Sequence, residues 1–455
     1  MKNMTLFNIA KACEGELYLP EGFVDREVDN ITIDSRTVSE GSLFIPIVGA
    51  RVDGHSFISQ VYNTGAICTL TERELTDEEK SANKPYIRVD SSLIAIKKIA
   101  GFYRKQLDIK VIGITGSVGK TSTKEIISSV LDVKYNVLKT QGNFNNEIGV
   151  PLTIFRLRDE HEIAVIEMGI NSFGEMTRLS EIVRPDVAVI TNIGICHLEN
   201  LIDRDGVLRA KTEIFKNLNE NAIIVLNGDD DKLSTISDVN GTRPIFYGID
   251  NKYEVYADNI NSRGLKGMEC DIHINNSIIS VLVPVPGKHM VYNAMTAGII
   301  GNKLGLDNDE IKIGIEKMET ISGRFNIIEK EDITIIDDCY NANPVSMKAS
   351  LDVLNQADTR KIAILGDMFE LGDNEVELHK EIGDYIEETN IDVVICIGSL
   401  SKNIKPAGKV VFYFNNLDDF FGRVEELIFS KDTILIKASH GMEFVKIVNY
   451  FKNFF

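Results

Sequence analysis

The run Gly113-Ile114-Thr115-Gly116-Ser117-Val118-Gly119-Lys120-Thr121 holds the densest chemistry in the chain. Gly116 and Gly119 let a backbone approach an anion with no Cβ in the way, and a lysine and a threonine follow directly. In that pattern, N–H groups at a helix start cradle phosphates. Ser117 lies in the loop, Lys120 neutralises β/γ-phosphate oxygens and the Thr121 hydroxyl reaches Mg2+. A strict phosphate loop carries glycine at 114, where this chain has Ile114 and the glycine one residue earlier. The competing explanation is a glycine turn ahead of an amphipathic helix. Glu167 closes the run IAVIE and His197 lies just past VAVITN. A hard Mg2+ prefers carboxylate oxygens and water, so Glu167 is a natural ligand and His197 a less obvious one. Taken singly, Glu167 also reads as a capping or solvated acid and His197 as a partly buried histidine. Lys211, in LRAKTEIF, reads from spacing alone as a solvated lysine on a helix.

These residues need elements to bring them together. The runs IKVIGITG (109–116), EIAVIEMG (162–169), DVAVITNIG (186–194) and NAIIVLNGD (221–229) are apolar, of strand length, and end in polar or glycine residues. Each precedes a helix-like stretch, which is the pattern of strands buried on both faces of a parallel sheet. TSTKEIISSVLDV reads as the helix after the loop, with Ile126, Ile127, Val130 and Leu131 inward. Because ligands sit beyond the carboxyl ends of such strands, Glu167 and His197 are predicted to face the loop. An earlier block carries NITIDS (30–35), SLFIPIVG (42–49), AICTLT (66–71) and YIRVD (86–90). A later one carries ITIIDD (333–338), KIAILGD (361–367), DVVICIG (392–398), VVFYF (410–414) and TILIKAS (433–439). Residues 243–287 break the rhythm and predict a small antiparallel addition. The expected fold class is α/β in three domains: 1–105, 106–319 with the phosphate loop on a parallel sheet, and 320–455, Rossmann-like.

Length agrees, since 455 residues at about 150 per domain suggest roughly three. The net charge of −19 argues against coating nucleic acid or an anionic membrane, because either needs a basic surface. A small anionic substrate must therefore meet local lysine, arginine, N–H groups or metal. The six cysteines are scattered without a CxxC pair, so reduced core thiols are expected rather than a disulfide scaffold or zinc site. Lys11 and Glu14 interrupt the apolar stretch of MKNMTLFNIAKACEGELYLPEG too early for a signal peptide. No run approaches the roughly 20 apolar residues of a membrane span. The expectation is a cytoplasmic protein with no membrane insertion and no nucleic acid partner.

Read together, the segments resemble one family. TGSVGKTSTKE (115–125), TQGNFNNEIGVPLT (140–153), EMGINSFGEM (167–176), TNIGICHLENL (191–201), AKTEIF (210–215), GKHMVYNAMTA (287–297), SGRFN (322–326) and DDCYNANPVSM (337–347) occur in the order and spacing of the Mur ligases. These are ATP-dependent amide ligases of peptidoglycan precursor synthesis. DDCYNANP is most similar to the branch that adds D-alanyl-D-alanine to UDP-N-acetylmuramoyl-tripeptide. The Asn/Asp-Pro-Arg segment of the diamino-acid-adding branch is not found in the third block. Asp34-Ser35-Arg36 and LFIPIVGARVDGHSF (43–57) resemble the UDP-sugar-binding domain that those two branches share.

Carried over residue by residue, the resemblance implies that Gly116, Ser117, Gly119, Lys120 and Thr121 hold ATP phosphates. It implies Mg2+ on Thr121, Glu167 and His197, with Lys211 as a further ligand once carbamylated, which requires a neutral amine and a depressed lysine pKa. Asn293 and Arg324 match nucleotide-contacting positions and Asp338 the acid near the ATP ribose. Ser35, Arg36, Asn143, Asn145, Asn146, Asn341 and Asn343 match substrate-contacting segments. One departure is His440, in ASHGMEF (438–444), where an arginine is usual. The implied chemistry is phosphoryl transfer to the tripeptide carboxylate, attack of the dipeptide amine on the acyl phosphate, and closure of the third domain over a monomeric enzyme. Two other readings stay open. One is a related ligase adding a single amino acid to UDP-muramoyl-dipeptide. The other is a nucleotide-driven switch protein that hydrolyses ATP without an amine acceptor.

Overall fold

The computed structural model describes residues 1–454, apart from the side chain of Leu198. Three sheets succeed one another along the chain. The first has five strands in the order Glu16–Tyr18, Tyr86–Arg88, Cys68–Thr71, Ser42–Phe44 and Asn30–Thr32. All are parallel to their neighbours except the Glu16–Tyr18 edge. Helices Leu6–Cys13 and Ser92–Arg104 pack together beside it.

The central sheet has nine strands. From one edge run Val137–Lys139, Ile163–Glu167, Lys110–Thr115, Val187–Ile190, Ile223–Asn227, Ile245–Gly248 and Val255–Ser262, all parallel. The four long apolar runs of the middle block are the four adjacent inner strands. Ile112, Ile114, Val165, Val189 and Ile224 are essentially inaccessible, and each such side chain contributes about 1.5–3 kcal/mol. The antiparallel addition is present as Met268–Ile274 and Ser277–Val283. It is continuous with the central sheet through Val255–Ser262, because the free edge beyond Ile245–Gly248 can be paired by further strands.

The loop helix, Lys120–Leu131, buries Ile126, Ile127, Val130 and Leu131 and packs against helices Lys288–Lys303 and Asn308–Glu316. Gly314 permits that approach: a Cβ there would lie 2.3 Å from the Val130 Cα.

The third sheet has six strands, Asn326–Glu329, Ile333–Asp337, Asp432–Lys437, Lys361–Gly366, Val393–Ile397 and Val410–Phe414. Only Asn326–Glu329 is antiparallel. Buried side chains connect this unit to the central one, and others connect the first unit to the central one. Arg104, 5% exposed, donates to the Val183 and Leu107 carbonyls across the latter junction. The six cysteines are free. Among the described residues no helix is long and apolar enough to cross a membrane.

Candidate active site

The glycine loop lies between strand Lys110–Thr115 and helix Lys120–Leu131. Gly116 has φ 148°, and a Cβ on it would stand 1.9 Å from the Thr191 Oγ1. Only glycine satisfies both constraints. The neighbouring strand end pins the loop. The Ser117 N–H donates to the Asn192 carbonyl at 3.0 Å and the Val118 N–H to Asn192 Oδ1 at 3.0 Å. Thr191 Oγ1 donates back to the Val118 carbonyl at 2.7 Å. The helix start at Gly119 carries no side-chain cap, so its first-turn N–H groups and dipole are directed at the space over the loop. Lys120 Nζ crosses that space to the Gly116 carbonyl at 2.8 Å. Burial pushes its pKa down, opposed by the nearby Glu167 carboxylate.

Glu167 is 1% exposed at its strand end, which removes the solvated-acid explanation. Its two oxygens are held separately: Thr121 Oγ1 donates to one at 2.9 Å and Asn145 Nδ2 to the other at 2.9 Å. The Glu167 N–H donates to Thr140 Oγ1 at 3.0 Å. Lys211 is likewise 1% exposed, on helix Arg204–Thr212. The solvated-lysine reading of the spacing is therefore wrong, because the helix turns that face inward against the central unit. Burial lowers the Lys211 pKa to about 8; the Cys196 thiol works against this and the Lys120 charge adds to it. His197 has φ 51°. Desolvation, then the charges of Lys211 and Lys120, lower its pKa to about 4. Lys120 is thus within electrostatic range of Glu167, His197 and Lys211.

Among the described residues no three His, Cys, Asp or Glu side chains form a metal cage. A buried carboxylate bonded to a threonine hydroxyl at a phosphate loop is instead the donor set of Mg2+ that keeps waters and phosphate oxygens. Thr121 and Glu167 fit such an ion; the Lys211 ammonium does not in its charged form, and the His197 imidazole supplies nitrogen where Mg2+ prefers oxygen.

Asn293 is buried behind the loop, where it accepts from Thr123 Oγ1 at 2.9 Å. Its Oδ1 is 3.9 Å from the Cβ position of Gly119. From the third unit, Arg324 stacks over Tyr340, its Cζ 4.0 Å from the ring centroid. His440 packs against Tyr340 as well, ring centroids 5.2 Å apart and planes tilted by 43°, so an aromatic ring stands where the family resemblance led to an arginine. Arg324, Tyr340, Thr121, Lys124 and Thr140 line a cavity of about 360 Å³. Asp338, 5% exposed, accepts from Ser350 Oγ at 2.7 Å and pairs with the buried Lys437.

The remaining candidates are dispersed. Asn143 is exposed, and Asn146 Oδ1 caps the next helix by accepting from the Gly149 N–H at 2.9 Å. Asn341 Oδ1 accepts from the Ala342 N–H and its carbonyl from Lys437. Asn343 caps helix Pro344–Asn355 through a reciprocal pair with Ser346. Ser35 and Arg36 follow strand Asn30–Thr32 in the first unit. There the hydrogen bonds of Arg36 hold the Asp34 carboxyl down at about 2. Spacing offered no reason to choose Thr140, Tyr340 or Lys124, although all three lie within the family-like motifs.

The comparisons with known proteins agree with one another. Residues 114–301 match the Mur ligase middle domain, 323–440 the Mur ligase glutamate ligase domain, and 27–104 the Mur ligase family catalytic domain. The UDP-N-acetylmuramoyl-tripeptide–D-alanyl-D-alanine ligase of Bacillus subtilis (strain 168) is 35% identical over 98% of each chain. A crystal structure of MurF from Acinetobacter baumannii superposes with a TM-score of 0.91 at 30% identity, covering 99% of this chain and 98% of the other. MurF ligase from Thermotoga maritima in complex with ADP superposes with a TM-score of 0.83 at 29% identity, over 93% and 97%.

Proposed function

The chain belongs to the Mur ligase family, and from that premise we propose that it joins D-alanyl-D-alanine to UDP-N-acetylmuramoyl-tripeptide at the expense of ATP. It is a ligase of peptidoglycan precursor synthesis. The observation that carries the reading is the Thr121–Glu167–Asn145 arrangement at the mouth of the glycine loop.

Condensing a carboxylate with an amine in water is uphill, so the carboxylate must first be activated. Transfer of the γ-phosphoryl group from ATP to the tripeptide carboxylate gives an acyl phosphate and ADP; the dipeptide amine, having lost its ammonium proton, then attacks the acyl carbon and expels phosphate. No covalent enzyme nucleophile is required. Lys120, the loop N–H groups and Arg324 neutralise the crowded anions and hold them in line. Thr121, Glu167, His197 and carbamylated Lys211 would hold Mg2+, which supplies further charge neutralisation of the transferring group. Asn293 and Asp338 orient the nucleotide. Ser35 and Arg36, in the unit 1–105, take the uridine end of the sugar nucleotide. Residues 320–455 bring Arg324 and Asp338 onto the unit 106–319, and Asn341 and Asn343 lie in the segment facing the dipeptide. We read the enzyme as a cytoplasmic monomer.

The test is phosphate release with a matrix of UDP-muramoyl peptides against amine acceptors. Turnover requiring both the tripeptide and D-alanyl-D-alanine is expected. Stimulation by lysine or diaminopimelate on the dipeptide substrate would favour the single-amino-acid ligase. ATP hydrolysis indifferent to any amine would favour a switch protein.

A further inference from the structure

Glu370 stands in the loop after strand Lys361–Gly366, with φ 62°, a left-handed conformation that non-glycine residues seldom adopt. The loop around it is anchored at three points. The Asp367 carboxylate accepts from the N–H groups of Leu400 at 3.0 Å and Ser401 at 2.7 Å. The Met368 N–H donates to Nε2 of buried His379 at 3.0 Å, and the Phe369 N–H to Ser439 Oγ at 2.8 Å. Such over-determined geometry projects Glu370 away from its own sheet. Its carboxylate crosses to the central unit and ends 3.1 Å from His197 Nδ1.

This position is chemically distinct from the rest of the site. Lys120 and Arg324 bring positive charge to the cleft, and both oxygens of Glu167 are engaged by Thr121 and Asn145. The Glu370 side chain is 64% exposed, and a carboxylate offers about four acceptor positions. An amine acceptor arrives largely as an ammonium at neutral pH. It would be repelled by these cations unless an anion received it.

We propose that Glu370 binds the ammonium group of the incoming dipeptide and holds it beside His197, from where the amine, once its proton has passed to solvent, reaches the activated carboxylate. The proposal rests on the ligase reading above. It makes Glu370 a substrate-binding residue supplied by the third unit, so that amine recognition and approach of that unit are the same event.

The experiment is steady-state kinetics of the full chain with Glu370→Gln and Glu370→Asp. Losing one charge-assisted hydrogen bond should raise KM for D-alanyl-D-alanine about 10–100-fold in Glu370→Gln. KM for ATP and for the sugar nucleotide should stay unchanged, and Glu370→Asp should recover part of the loss. Propionyl-D-alanine, the dipeptide without its amino group, should inhibit wild type and Glu370→Gln equally. Positional isotope exchange in ATP with the sugar nucleotide alone should persist in Glu370→Gln, because acyl phosphate formation precedes the amine. An unchanged dipeptide KM overturns the proposal. So does a loss shared equally by all three substrates, or by the amine-free inhibitor, since either marks a contact that only holds the two units together. If wild type makes no product from D-alanyl-D-alanine, the ligase reading itself fails and takes this proposal with it.

Discussion

Replacing Lys211 by methionine removes a buried ammonium while keeping an unbranched apolar stem of similar reach. Lys211 is 1% exposed, and burial moves its pKa from 10.5 to about 8. That displacement corresponds to about 3 kcal/mol of instability at neutral pH. The unfolded chain holds the proton up to about 10.5 and the folded chain only up to about 8. Below about pH 8 both states are charged and the whole penalty is present. Between the two values the unfolded state binds more protons, so wild-type stability rises with pH. Lys211→Met should therefore be more stable than wild type by about 3 kcal/mol near pH 7, a difference that shrinks to less than half near pH 9.5. Urea unfolding at both pH values, in carbonate-free buffer so that no carbamate masks the charge, measures the difference. The same variant should lose ligase activity, and Lys211→Ala should be partly rescued by a short-chain carboxylate. A stability difference that does not change with pH would refute the argument from burial. Full activity without rescue would remove Lys211 from the site.

Three further outcomes are expected. Lys120→Ala should abolish product formation while isothermal titration still finds sugar-nucleotide binding, because that substrate is assigned to another unit; robust ligation would end the phosphate-loop assignment. Gly116→Ala should cut ATP affinity or kcat at least about 10-fold, since the added Cβ meets Thr191 Oγ1 at 1.9 Å and a displacement of about 1 Å in a reacting geometry costs up to about 100-fold. Asn343→Ala should lower stability by about 1 kcal/mol through loss of the helix cap. If urea unfolding instead finds no loss, the reciprocal cap with Ser346 is not contributing.

The position of Lys211 also shows why stability and function conflict at this site. A methionine there would satisfy the packing of helix Arg204–Thr212 better than an ammonium does. The same burial brings the neutral amine within reach of neutral pH, which the proposed carbamylation requires. The strained backbone at Glu370 and at His197 follows a similar logic. Each adopts a left-handed conformation, and the two side chains meet across the junction of the central and third units.

How much of this was legible in the amino-acid order depends on where each interaction originates. The inner strands were, because a strand covered on both faces must be apolar at consecutive positions, as in 163–166 and 187–190. The glycine loop was, because its demands on backbone conformation are local. The edge strands Glu16–Tyr18, Val137–Lys139 and Asn326–Glu329 were not. They are short and partly polar, and they become strands only because a neighbour offers hydrogen bonds.

The site divides in the same way. Family likeness singled out Asn145 and Asn146 together, yet one holds Glu167 and the other caps a helix. Burial of Lys211 depends on which face of its helix is turned inward, and nothing in LRAKTEIF records that. Glu370 lies 173 positions from His197 in the numbering, within an ordinary polar loop. The sequence by itself determined the inner strands and the phosphate loop, whose causes lie within a few residues of one another. Only the tertiary structure decided the charge environment of Lys211 and the meeting of Glu370 with His197, because desolvation and electrostatic coupling are properties of the assembled interior.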